Sequence, residues 1–116
     1  MIRHIVMWRV TGYSRAERLA AAQIVKKSFE ELRGNIPGMV FLEVGLDTSG
    51  VDYACDVVLV TEFESQDALA AYATHPEHIR VRHELGNIRT ARYQVDYRVG
   101  QVISSTKVGE AACGKA

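Results

Sequence analysis

Apolar and polar positions alternate from Ile2 to Val10, with Ile2, His4, Val6, Trp8 and Val10 on one side and Arg3, Ile5, Met7 and Arg9 on the other. A period of two predicts a strand, and large apolar groups on both sides predict that neither face is fully open to water. After Gly12, Ser14 and Glu17 have the spacing of a capping box, and Leu19, Ala22, Val25, Phe29 and Leu32 then recur at helical intervals. This helix is expected to stop near Arg33 and Gly34. Asn35 to Gly38 predicts a turn, followed by a strand from about Met39 to Leu46 in which Val40, Leu42, Val44 and Leu46 face one way. Beyond a turn at Thr48 to Val51, Tyr53 to Phe63 reads as a long β-branched strand. Ser65 is the expected N-cap of a helix through Leu69 and Tyr72, which His75 and Pro76 interrupt with a fresh start running to about Arg89. A last strand spans Ala91 to Val99.

The resulting order, β-α-β-β-α-β, is the ferredoxin-like α+β arrangement: a four-stranded antiparallel sheet with its helical segments on one face. Helices on one face leave Ile5, Met7, Val58, Val60, Tyr93, Val95 and Tyr97 on the other, uncovered within a single chain. Pairing two such sheets face to face as a homodimer closes that surface by symmetry. Residues 1–100 are expected to form the domain and residues 101–116, rich in small and polar types, a C-terminal tail.

Composition narrows the function classes. A length of 116 residues suits one domain, and 14 basic against 14 acidic side chains give no charge surplus with which to bind nucleic acid or a membrane surface. The glycine-flanked aromatic signature of RNA-recognition domains is missing from the third strand. Cys55 and Cys113 form neither a disulfide framework nor a metal motif, and the first residues carry Arg3 and Arg9 within their apolar run, unlike a signal peptide. The expected location is the cytoplasm. His75, His78 and His83 lack the spacing of metal ligands, and no metal or other cofactor is expected. Arg80, Arg82, Glu84 and Arg89 read as a solvated helix face, Cys55 as a small buried hydrophobe and Cys113 as an exposed thiol in the tail.

The RHIVMWRV strand, the IPG turn, the strand ending VTEFES and the AYATHPEH stretch together resemble the stress-responsive dimeric α/β-barrel domain family, over roughly residues 1 to 99. That resemblance implies a small homodimer. The best-defined enzymatic relative, plant olivetolic acid cyclase, closes a linear polyketide by an aldol-type condensation without a cofactor, using acid/base residues in a pocket between sheet and helices. The matching positions here are His4, Tyr72, His78 and Asp96, with Val6, Trp8, Phe29 and Leu59 as apolar walls. Arg92 and Gln94 share the face of Asp96 where the cyclase has aliphatic residues, which favours a smaller or anionic substrate.

Chemically, first and last strands are antiparallel neighbours in this fold, so His4 and Asp96 are expected to be cross-strand partners, the carboxylate fixing the imidazole tautomer. His78 lies in the first turn of the restarted helix, where the helix dipole disfavours imidazolium and keeps a neutral base. Tyr72 is placed to donate to a developing enolate oxygen. The same residues have a structural reading: His75 as a helix cap, His78 and His4 as hydrogen-bonded structural histidines, and the run Arg92, Gln94, Asp96, Arg98 as a solvated strand face. Two function classes follow. One is a cofactor-independent cyclase or isomerase acting on an oxygenated polyketide-like or aromatic compound; the other is a non-catalytic stress-responsive or ligand-binding protein.

Overall fold

A computed structural model of the protein describes residues 1–100. Its elements are β1 (Ile2–Val10), α1 (Arg15–Glu30), β2 (Met39–Leu46), β3 (Val57–Phe63), α2 (Gln66–Ala73), α3 (Pro76–Leu85) and β4 (Arg89–Arg98). The strands form one antiparallel sheet in the order β2-β3-β1-β4, the ferredoxin-like topology. The tail expected over residues 101–116, Cys113 included, lies outside the described residues. Among the described residues no helix is long and apolar enough to cross a membrane.

Strand parity assigns the core. Ile2, Val6, Trp8 and Val10 of β1, with Leu42, Val44, Val57, Leu59 and Phe63, point under the helices and are buried. Ala22, Val25 and Phe29 of α1, Leu69 and Tyr72 of α2, and Val81 and Leu85 of α3 close over them. Each fully buried large apolar side chain contributes about 1.5–3 kcal/mol relative to exposure. The helix starts follow local chemistry, since Ser14 and Ser65 accept from the N–H of Glu17 and Ala68 at 3.1 Å each. His75 plays the same part for α3: its Nδ1 accepts from the Glu77 N–H at 3.1 Å, and Pro76 occupies the first helical position.

Several boundaries depart from the periodic pattern, each for a local reason. The register of β2 against β3 slips between Met39 and Phe41, so Val40 is extruded and exposed instead of sharing the inward face of Leu42 and Val44. The strand expected from Tyr53 begins only at Val57. Asp56 delays the start, because its carboxylate accepts the Val10 N–H at 2.9 Å and its own N–H donates to the Trp8 carbonyl at 2.8 Å. The preceding residues form a turn in which Tyr53 is exposed, and Cys55 is only half-buried. Leu19 lies off the buried stripe of α1, which runs through Ala21, Ala22, Val25, Ser28 and Phe29. α3 stops at Leu85, not near Arg89, because Gly86 adopts φ +49 and its N–H donates back to the Arg82 carbonyl, turning the chain into β4.

The face of the sheet away from the helices is apolar. Cross-strand rows Val58, Met7, Tyr93 and Val60, Ile5, Val95 lie side by side across β3, β1 and β4. Met7, Tyr93, Val95 and Tyr97 are exposed in the single chain. At one end of this surface Arg3 pairs with Glu62 at 3.1 Å and donates to the Tyr97 hydroxyl.

His75→Ala removes the α3 cap without touching the core, and the expected cost is about 1 kcal/mol of unfolding free energy. Chemical denaturation of the two proteins checks it; an unchanged midpoint would mean that Pro76 alone sets the helix start.

Candidate functional site

A pocket of about 690 Å³ opens between β1, β4 and the break separating α2 from α3. Because β1 alternates, His4, Val6 and Trp8 project into it together, and antiparallel pairing sets Asp96 opposite His4, Gln94 opposite Val6 and Arg92 opposite Trp8. Leu59, the β3 partner of Val6, and Phe29 from α1 supply the apolar floor and wall. Tyr72 and His78 border the pocket from the helical side. The residues expected from the sequence to form a site are therefore gathered around one space. Arg92, Gln94 and Asp96 line the pocket and are partly open to solvent at its mouth.

His4 is buried, and its Nδ1 lies 2.6 Å from Asp96 Oδ1. A carboxylate oxygen accepts, so the proton sits on Nδ1 and the lone pair of the neutral ring is on Nε2. Asp96 is held in turn by the Gln94 side-chain amide, which donates to its second oxygen at 2.9 Å. The His4 ring meets Phe63 and Tyr72 edge-on, with centroids 6.5 and 6.2 Å away. Packing on both sides leaves the imidazole little rotational freedom.

The helix break builds the second half. Tyr72 lies in the last turn of α2 and His78 in the first turn of α3, so the break at Thr74 and His75 brings the two rings into a stack with centroids 4.3 Å apart. His78 Nδ1 donates to the Ala73 carbonyl at 3.2 Å, which again leaves Nε2 as the nitrogen without a proton in the neutral form. Burial lowers the His78 pKa from its ordinary value; the bond to Ala73 opposes this, and the nearby positive charge of Arg82 and Arg89 reinforces it. Burial pushes the Tyr72 phenol up, so the hydroxyl remains a proton donor across the physiological range. That hydroxyl and the Trp8 indole N–H are buried without a hydrogen-bond partner among the described residues. Two unsatisfied donors on side chains bordering one pocket are the usual mark of a place where a ligand oxygen or a water completes the bonding.

Two lining residues escape the periodic reading. Arg82 and Arg89, expected on a solvated helix face with Arg80 and Glu84, both border the pocket. Arg80 and Glu84 behave as expected, pairing along α3, and Arg82 is exposed as well as bordering the pocket, so Arg89 is the one that departs from a solvated face. Arg89 belongs to β4, where the register against β1 slips by one residue beyond Ala91, so that Val10 faces Arg89 and Thr90 is skipped. The bulge reverses parity and swings Arg89 inward over the stacked rings of Trp8 and Phe29, at 5.2 and 5.7 Å from their centroids. An alternation count through Thr90 misses it. No group of three or more His, Cys, Asp or Glu side chains suited to a metal ion occurs among the described residues.

Known proteins with this architecture share its topology and differ in what they do. A dimeric protein of unknown function with a ferredoxin-like fold from Bacteroides fragilis is 30% identical, with a TM-score of 0.72 over 84% of this chain and 94% of the other. A dimeric ferredoxin-like protein of unknown function from Thermobifida fusca is 21% identical, with a TM-score of 0.71 over 84% and 90% of the two chains. Hydroxynitrile lyase from Passiflora edulis has a TM-score of 0.70 at 15% identity, over 88% of this chain and 95% of the lyase. No match is found among curated proteins. Residues 2–99 match the Stress responsive A/B Barrel Domain family, and the chain belongs to that family.

Proposed function

We propose that the protein is a homodimer, joined through the apolar sheet face, in which each subunit carries a cofactor-independent acid/base pocket for a small oxygenated organic compound of polyketide-like or aromatic type. The observation that carries this reading is the placement of two imidazoles, each with Nδ1 engaged, beside the unpartnered Tyr72 hydroxyl around one pocket. His78 Nε2 takes a proton from the carbon next to a carbonyl. Tyr72 donates to the oxygen as negative charge develops there, the protonated His78 returns its proton to the product, and His4, oriented by Asp96, offers Nε2 as an acceptor to a substrate hydroxyl. Val6, Trp8, Phe29 and Leu59 hold the carbon skeleton away from water. The reaction class is then cyclisation or isomerisation through an enolate, with no redox step and no metal required. The fold shared with a hydroxynitrile lyase is consistent with a small-molecule pocket, and the residues in this pocket argue for the type of chemistry.

The competing reading makes His78 a structural clasp, since its bond to the Ala73 carbonyl also ties α3 to the end of α2. Deuterium exchange next to the carbonyl of acetophenone, followed by NMR, separates the two. His78→Ala is expected to reduce enzyme-promoted exchange by about 10²-fold or more, with a melting temperature within a few degrees of the parent. Unchanged exchange accompanied by a large loss of stability would establish the structural role.

The lowered pKa of His78 also has a thermodynamic consequence. Above the ordinary value of 6.5 the ring is neutral folded and unfolded and contributes no pH dependence. As the pH falls below that value the unfolded chain takes up the proton more readily than the folded one, so stability falls until the folded-state pKa is passed. Between pH 7.5 and pH 5 the melting temperature of the parent is therefore expected to drop more than that of His78→Gln. Parallel curves would contradict the burial argument.

Assembly is tested separately. Met7→Asp sets a carboxylate in the middle of the apolar rows and is expected to dissociate or unfold the dimer, which would otherwise bury about 1,600 Å² or more. Light scattering at micromolar concentration reads the outcome; a monomeric parent protein would remove the dimer from the account.

A further inference from the structure

Acid/base chemistry at His78 and Tyr72 leaves the pocket's arginines without a task. Arg82 from α3 and Arg89 and Arg92 from β4 border the same space. Among the described residues none of the three guanidinium groups has an ion-pair or hydrogen-bond partner, whereas Arg3, Arg18 and Arg80 each pair with a carboxylate. Asp96, the acidic side chain in the pocket wall, is already engaged by His4 and Gln94.

Arg89 is the informative member. The bulge at Thr90 turns it away from solvent and lays it on the Trp8 and Phe29 rings. Burial, with Arg82 and Arg92 alongside, holds its pKa below the ordinary arginine value, so the guanidinium stands half-desolvated among like charges. Partly buried charge without a counter-ion is destabilising, and a guanidinium in that state is matched by a planar anion that accepts two hydrogen bonds.

The order of side chains along β4 sets the ligand's direction. Asp96, Gln94 and Arg92 follow one another on the inward face, and Arg89 continues the line past the bulge. At about 3.3 Å per residue, the His4 and Asp96 end lies about 13 Å from Arg92 along the strand. This length suits one ring or short chain bearing an acidic group at one end.

Resting on the acid/base reading above, we infer that the ligand of this pocket carries a carboxylate, received by Arg82, Arg89 and Arg92 at one end, while its carbonyl lies against Tyr72 and His78. The arginines thus choose the substrate class and its orientation. The positive charge of Arg89 and Arg92 also reaches the Tyr72 hydroxyl, where it favours negative charge developing on a bound oxygen.

Two probes of the same shape test the inference: 4-acetylbenzoate, with a methyl ketone at one end and a carboxylate at the other, and 4-acetylbenzamide, its neutral counterpart. Binding is followed through the fluorescence of Trp8, the sole tryptophan of the sequence. The acid is expected to bind about tenfold or more tighter than the amide in low salt, with the preference shrinking as salt is added. Arg89→Met and, independently, the solvent-accessible Arg92→Gln are expected to bring acid and amide within about twofold of each other. Equal affinity of the two probes in the parent protein, or an acid preference that survives in both variants, overturns the inference. If acetophenone exchange is promoted without any acid preference, the carboxylate assignment fails and the acid/base pocket stands. If neither probe binds and exchange is absent, both fall together.

Discussion

Antiparallel pairing of β1 with β4 couples the two faces of the sheet. With a side-chain period of two, whatever occupies one face decides what the next position must do. Tyr93, Val95 and Tyr97 join Ile5 and Met7 on the apolar face, so Arg92, Gln94 and Asp96 take the other face, opposite Trp8, Val6 and His4, where they line the open side of the pocket. A slip of one residue would send the carboxylate into the apolar surface and the tyrosines into the pocket. Register, which the hydrophobic effect enforces over the whole strand, therefore also sets the 2.6 Å contact between His4 and Asp96. The polar site and the proposed dimer face are two consequences of one alternation.

Within the pocket, polarity is ordered along the strand direction. At one end Asp96 orients His4; at the other, three guanidinium groups lack partners among the described residues. Between them lie the apolar residues Val6 and Leu59, with the Tyr72 and His78 stack on the helical side. In the proposed reading, opposite charges at the ends and an apolar middle would favour one orientation of an elongated ligand. The helix break is as necessary to this layout as the sheet. Without Pro76 and the His75 cap, α2 would run on through Thr74 and carry His78 away from Tyr72.

The parts of this architecture that follow from periodicity and local caps were legible in the sequence. The nine-residue alternation of β1, the serine caps at Ser14 and Ser65 and the restart at His75 and Pro76 each depend on neighbours within a few positions, and each is present as read. The contact between His4 and Asp96 was legible only because the fold order makes first and last strands adjacent. What escaped depends on single-residue irregularities. Val40 and Thr90 are bulge positions that change parity without changing composition, so Val40 leaves the face that alternation shares with Leu42 and Val44, and Arg89 lies in β4 instead of on a solvated helix face. Asp56 delays the start of β3 to Val57 through a side-chain bond to β1, which no local propensity encodes. The arginine group at the pocket mouth became visible only once Gly86 had closed α3 and the bulge had turned Arg89 inward.

The proposed chemistry depends on which nitrogen of each imidazole carries the proton, and nitrogen-15 NMR of the four histidines reads this directly, with assignments from single His→Gln variants. At pH 7.5 the account requires His78 to be a neutral ring protonated on Nδ1, His4 to carry its proton on Nδ1 with a strongly deshielded resonance from the carboxylate bond, and His75 to show the opposite tautomer because its Nδ1 accepts the Glu77 N–H. A doubly protonated His78 at that pH, or a His4 ring with no proton on Nδ1, would contradict it.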